Sequence, residues 1–356
     1  MSGLRPVLPG LGMLLALYLG WASLASLSAP DAPSSEEIPV LVQAAGQAPG
    51  PRLRYPGDGR AMHATVSFRL PEAGEQRWVV WFSRDPFDEL RVRAPGWVPA
   101  ANAYFRPQRG DAVLPIGYAF ALPVDWSGPR RIEVVLRGGI RAAPSPRVMS
   151  ERLMLARMAR ESALSYAVYA ALATLAIAAL ALYTAVRDAA FLMYAGYALL
   201  ALLFGATVNG HLYGLPGIGQ LGRLGTSGVW ATVLLFAGFG LHTLLRYASL
   251  PPGPWLDWPR RLALGLLVAA LLLPLPFAAL HGLRQPVATA GWCLALGASI
   301  LVVGDAARRG VSMAWTVLAA LVLLAVAGGA HESMQQGRLP DTMWTRYGYQ
   351  LALVML

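Results

Sequence analysis

Lysine does not occur in these 356 residues, so all 29 basic side chains are arginine, and cysteine occurs once, as Cys293. One thiol cannot close an internal disulfide or gather the thiolates of a structural zinc site. Charge is also scarce: 13% of the residues are charged against 56% hydrophobic, with a mean hydropathy of +0.48. A soluble domain carries roughly 25% charge. A chain this poor in charge cannot clothe an ordinary water-facing surface, so its excess apolar surface belongs in lipid. The net charge of +10 is spread over many short segments, the pattern of loops between spans and not of a nucleic-acid stripe. Paired-carboxylate sites, HExxH, a nucleophile elbow and a Walker-type glycine loop are absent as well. The sequence therefore points to no catalytic residue, no metal and no cofactor.

What is present begins with Arg5, an apolar stretch from Leu11 to about Leu24, and small residues at Ala25, Ser26, Ser28 and Ala29. That is the layout of an export signal over residues 1–29. An uncleaved anchor is the competing reading, although the apolar core is shorter than the roughly 20 residues a span needs. Under either reading the next segment of the chain is exported. Residues 30–60, rich in Pro, Gly, Ala and Ser, read as a linker and edge segment. From 61 to 145 the period is two. Val66, Phe68 and Leu70 alternate with polar neighbours, as do Leu90 and Val92, and Ile132, Val134 and Leu136. Trp78 to Phe82 is apolar on both faces and is expected to be a central strand. Short strands punctuated by Pro and Gly predict one β-sandwich domain.

Ser145 and Pro146 form a helix-start signature, with no strong stop before Arg187. A helix this long exceeds the bilayer, so residues 146–161, which hold Arg147, Glu151, Arg152, Arg157 and Arg160, are expected to form a stalk outside it. Residues 162–356 then read as a helical bundle. Six apolar runs near 162–186, 189–208, 226–245, 262–280, 286–304 and 311–330 have spanning length, and a seventh begins near Met343. Pro274 and Pro276 should kink the fourth. The seventh, with ten residues after Arg346, reaches about 15 Å, half of the bilayer. The expectation is a truncated fragment of a longer protein, the alternative a re-entrant or surface-lying tail. The fold class is thus a membrane α-helical bundle, six complete spans plus a truncated seventh, behind an N-terminal all-β sandwich. An exported amino-terminal domain puts the alternate loops that hold Arg187, Arg246, Arg260, Arg261, Arg308 and Arg309 in the cytoplasm. The opposite loops hold Arg223, Arg284, Arg338 and Arg346, partly offset by Glu332 and Asp341, so the arginine bias is weak and the export signal carries most of the orientation. The β-domain then lies in the periplasm of a bacterial inner-membrane protein.

Two regions carry a family resemblance. WVVWFSRDPFDELRVRAPGW (Trp78 to Trp97), with GDAVLPIGYAFALPVDW and RRIEVVLRGG, is similar to the extracellular β-domain of the seven-transmembrane receptors with diverse intracellular signalling modules. ALYTAVRDAAFLMYAGYALLALLFGATVNGHLYGL (Ala181 to Leu215) resembles the first hairpin of that family's bundle. The resemblance implies a bacterial signal receptor whose cytoplasmic output module, often a diguanylate cyclase or a histidine kinase, comes after the seventh span. A transporter subunit or polytopic membrane enzyme, and a receptor acting through a separate partner chain, are the alternatives. The expected partners are the lipid bilayer, a periplasmic small molecule or protein, and a second copy of the chain in a homodimer, with no nucleic acid.

Candidate binding residues in the β-domain are Trp81, Arg84, Asp88, Arg91, Tyr104 and Arg106. Aromatic faces beside guanidinium groups suit a carbohydrate or a small anionic solute. The plainer reading is core tryptophan with solvated surface charge, and Asp88 as a turn residue. Near the spans, His242, Asn209 and His211 are candidates for signal relay, because polar groups at membrane depth are costly. A helix–helix hydrogen bond is the plainer reading of His242.

Overall fold

The computed structural model describes residues 36–356 apart from 58, 73–75, 84, 102, 106–112, 115, 116, 139, 141, 216, 252 and 276–282. The expected export signal, Arg84 and Arg106 lie outside the described residues.

Among the described residues, nine strands form two antiparallel sheets. One runs β1 (Glu37–Ile38), β9 (Arg147–Ser150), β4 (Trp78–Ser83), β7 (Gly117–Ala121), β6 (Val113–Leu114); the other runs β2 (Leu41–Ala44), β3 (Met62–Leu70), β8 (Gly128–Arg137), β5 (Glu89–Arg93). In the second sheet the period-two pattern falls into register across three strands. Val92 and Ala64 flank Val134, while Leu90 and Met62 flank Leu136. Their shared face meets Val80, Phe82, Tyr118 and Phe120 of the first sheet in one core.

β4 is central, as its two apolar faces predict. Val80 and Phe82 point into the sandwich. Val79 and Trp81 point the other way and pack with Ala119, Met149 and Met154, the last of these from the first helix.

That helix, α1 (Glu151–Val186), starts later than Ser145 and Pro146 suggest. Residues 147–150 pair with β4 and β1 as β9, so their backbone is already committed to a sheet. Ser150 is the actual cap, its Oγ accepting from the Leu153 amide at 3.0 Å. The sandwich therefore does not close at 145, because β9 completes it. The first turns of α1 do not stand free as a stalk either; they cover the outer face of the first sheet, with the Arg157 guanidinium 5.1 Å from the Trp81 ring centroid.

Six further α-helices follow among the described residues: α2 (Ala189–Val208), α3 (Gly225–Ala248), α4 (Pro254–Leu272), α5 (Arg284–Arg308), α6 (Ala314–Gln335) and α7 (Met343–Met355). Each of α1 to α3 packs on the next, α3 also packs on α5, α5 on α6, and α6 on α7, which returns to α1 and closes a ring. Gly238 permits the close approach of α3 and α4, since a Cβ there would lie 3.0 Å from the Ala263 carbonyl oxygen. Among the described residues, five helices (α1, α2, α3 with its preceding turn, α5 and α6) are long and apolar enough to cross a membrane. In α4, Asp257, Arg260 and Arg261 occupy the first turns, and the helix stops at Leu272. Pro274 ends it and does not kink it, since a proline there cannot continue the backbone ladder; Pro276 lies outside the described residues. The 13 residues of α7 extend about 20 Å. Outward-facing Ile177, Leu264, Leu271 and Leu301 are 60–73% exposed, an apolar exterior that suits lipid and not water. Inside, Phe204, Phe236 and Trp292 stack with centroids 5.1–5.8 Å apart.

Candidate functional site

The β-domain and the bundle meet through a small set of buried contacts. Tyr104 and Phe105 project from the sandwich onto Tyr213, in the 3-10 turn His211–Gly214 after α2. The Tyr104 hydroxyl donates to the carbonyls of Thr207 at 2.8 Å and Val208 at 2.5 Å. Those carbonyls belong to the last turn of α2, where intrahelical donors run out. In the next 3-10 turn, Gly219–Leu224, Gly222 lies so close that a Cβ would collide with the Phe105 carbonyl oxygen. On the far side Arg52 donates through Nη1 to the Leu339 carbonyl at 2.8 Å.

A further contact is ionic. Arg346, in the first turn of α7, donates through Nε and Nη2 to Asp341 at 3.0 and 2.9 Å, and through Nη1 to Asp85 of the β-domain at 3.3 Å. Asp85 is aimed by its own turn: Ser83 Oγ donates to Oδ2 at 2.8 Å, and the Tyr118 hydroxyl donates to the Asp85 carbonyl at 3.2 Å. Burial pushes the Asp85 carboxyl above its ordinary range, more than the pull of Arg346 lowers it. Burial acts on Asp341 in the same sense, but the paired guanidinium outweighs it and holds that carboxyl below its ordinary range. Two carboxylates on one cation thus differ in how firmly they hold their charge.

Along α7 the neighbours of Arg346 reach other elements. The Tyr347 hydroxyl donates to Glu161 of α1 at 3.0 Å, and Arg157 donates to the same carboxylate at 2.9 Å. One turn on, Gln350 donates to Asn209 Oδ1 at 3.0 Å. Asn209 in turn donates to the Tyr169 hydroxyl at 2.7 Å, which lies 3.0 Å from His211 Nδ1. One face of one short helix therefore reaches the β-domain, α1 and the end of α2.

Beside this clasp lies a cavity of about 310 Å³. Pro86, Tyr104 and Ile140 of the β-domain line one end, and residues of α2, α3, α5, α6 and α7 line the rest.

The candidate residues of the sequence scatter across this picture. Trp81 and Tyr104 are both buried, but in separate clusters, the first under Arg157 and the second against the bundle. Asp88 and Arg91 are exposed, and Arg91 pairs with Glu89. Asn209 and His211 come together in one network, whereas His242 is exposed on the outside of α3. Asp85, Glu161, Asp341, Arg346, Tyr347 and Gln350 are not among the sequence candidates. For the last four the signal is the segment Asp341–Gln350, where two charges, three aromatics and a glutamine crowd into a supposed span start; nothing local singles out Asp85 or Glu161.

A β-sandwich clasped by a buried ion pair to one end of a ring of apolar helices defines a multi-pass membrane protein with a docked extramembrane domain. Residues 161–356, more than half of the chain, match the family model described as 7TM diverse intracellular signalling, and the chain belongs to that family. It is accordingly a seven-transmembrane receptor with an intracellular signalling role. The match starts within α1 and leaves the sandwich outside it. No curated protein matches the sequence.

Proposed function

We propose that this receptor lies in a bacterial inner membrane with its sandwich in the periplasm, and that it relays the docking state of that domain through α7 to the cytoplasmic side. The output is a diguanylate cyclase or a histidine kinase on the family resemblance, carried in cis or by a partner chain. The observation that carries the reading is Arg346, held at once by Asp85 of the sandwich and by Asp341, on the helix whose Tyr347 and Gln350 hold α1 and α2. A shift of the sandwich cannot leave that helix untouched. The arginines at Arg187, Arg246, Arg260, Arg261, Arg308 and Arg309 support the orientation, since they gather away from the docked domain.

Two measurements test this. Reporter fusions after Arg187 and Arg309 should be cytoplasmic and those after Gly217 and Arg338 periplasmic; the reverse pattern rejects the orientation. A fluorophore at Met355→Cys, in a Cys293→Ser background, should change its emission when Asp85→Ala loosens docking. Identical spectra with and without that change would remove the relay.

A further inference from the structure

We propose that the cavity beside the clasp is a binding site for a small organic cation with a compact apolar body. At about 310 Å³ it stands at the small end of ligand pockets, roughly 300–1,000 Å³, which rules out a peptide or an oligosaccharide. Its walls are rich in aromatic residues, with Phe204, Trp230, Trp292 and Tyr349 among them.

The charges decide the sign of the ligand. Arg346 is the one arginine among the described lining residues. Its charge is already matched by Asp85 and Asp341, so it offers nothing to an incoming anion. His331 donates from Nδ1 to the Thr345 carbonyl at 3.1 Å and receives the Gln335 amide on Nε2 at 3.2 Å, the pattern of a neutral imidazole. That leaves Glu332. Its carboxylate accepts from the Gln336 amide at 2.9 Å and has no ion-pair partner among the described residues. An unmatched carboxylate on an aromatic-lined cavity attracts an ammonium by Coulomb attraction, with the ring quadrupoles adding to it, and repels a carboxylate or phosphate. Glu332 and Cys293 are both exposed while lining the cavity, so a path leads in from outside between α5 and α6.

Cys293, the only thiol in the chain, supplies the reporter. The full chain in nanodiscs of zwitterionic lipid is alkylated with N-ethylmaleimide while benzyltrimethylammonium, neopentylbenzene (its neutral isostere) or phenylacetate is titrated in. Quenching of tryptophan fluorescence in the same titrations gives a second readout that does not need the thiol to react. The cation should protect Cys293 and quench saturably, the anion should do neither, and Glu332→Gln should raise the concentration needed about 10-fold or more, with Glu332→Asp restoring most of the affinity. Saturation by none of the three, equal action of the neutral compound, stronger action of phenylacetate, or indifference to Glu332→Gln would each overturn the assignment. The inference rests on the receptor reading only for its purpose. Occupancy is read at Cys293 and the relay at position 355, so either can fail alone.

Discussion

Exchanging Asp85 and Asp341 for asparagine, one at a time, should separate two carboxylates that hold the same guanidinium. Asp341 makes two bonds to Arg346, at 3.0 and 2.9 Å. Losing its charge leaves the buried arginine with one longer contact, a cost of about 3 kcal/mol. Asp85 makes a single contact at 3.3 Å, beyond the usual range of about 2.7–3.2 Å. Its asparagine can still accept from Ser83 and no longer needs to hold a charge out of water, so the change should stay within about 1 kcal/mol. Arg346→Met leaves both carboxylates buried without a cation and should cost most, about 3–5 kcal/mol. The assay is the apparent Tm of the full chain in nanodiscs, monitored by tryptophan fluorescence. At about 2–4 °C per kcal/mol, Asp341→Asn should lower it by about 6–12 °C and Asp85→Asn by no more than about 4 °C.

The pH dependence has a definite sign. The Asp85 carboxyl sits above its ordinary value of 3.8 when folded, so the folded chain binds that proton more tightly than the unfolded chain. Acidification therefore stabilises wild type relative to Asp85→Asn as pH falls through the raised value, and the gain is complete below 3.8. The Asp341 carboxyl sits below 3.8, so its contribution is present above that pH and is lost only as pH falls further, through its folded value. Between pH 7 and about 4 the comparison thus isolates Asp85. Equal losses for the two asparagine variants at pH 7, or a difference between wild type and Asp85→Asn that does not change with pH, would refute the reasoning.

Gly222→Ala should loosen docking by about 1–3 kcal/mol, because the new Cβ runs into the Phe105 carbonyl oxygen and neither backbone can swing aside. Hydrogen exchange should quicken at Tyr104–Phe105 and Leu212–Leu224 while β3 and β8 keep their protection; unchanged exchange at the contact would count against it. A soluble segment 36–145 lacks β9, leaving β1 and one edge of β4 unpaired, and should show no cooperative melting by circular dichroism. A segment 36–160 should melt cooperatively, and equal behaviour of the two would show that β9 is dispensable.

Much of the sandwich was legible because a sheet writes its burial into the sequence with period two. Val66, Phe68, Leu90, Val92, Ile132, Val134 and Leu136 all lie in the core. The doubly apolar β4 was legible too, but not the reason for it, since the cover on its second face comes from Met154, across a boundary that local reading drew at 145. Residues 147–150 carry the helix-start signature just before them and became a strand, because two waiting strand edges outbid a local preference. Long apolar runs gave most of the bundle, since length and hydropathy need no partner to be recognised. The clasp was not legible. Asp85 and Arg346 are separated by 261 positions, and nothing local marks either as the other's partner. Arg346 passed for a loop charge, although a charged residue opening an apolar helix calls for a counter-ion somewhere in the fold.

A receptor of this build can be moved only by something that binds its two states unequally. Taking a population from 1:99 to 99:1 needs about 5.5 kcal/mol of difference. Across the seam the single Asp85–Arg346 contact supplies no more than about 1 kcal/mol, and the Tyr104 hydroxyl, with two carbonyls at the end of α2, adds about 1–3 kcal/mol. Those two polar contacts fall short of the required amount, and burial of Tyr104 and Phe105 against Tyr213 supplies the rest at about 1.5–3 kcal/mol per side chain, provided all of these contacts break together. The cavity is shared between the two halves, since Pro86, Tyr104 and Ile140 come from the sandwich. A ligand filling it touches those three residues only while the domain is docked. Occupancy must then favour the docked state, and anything drawing the sandwich away must weaken the ligand by the same factor.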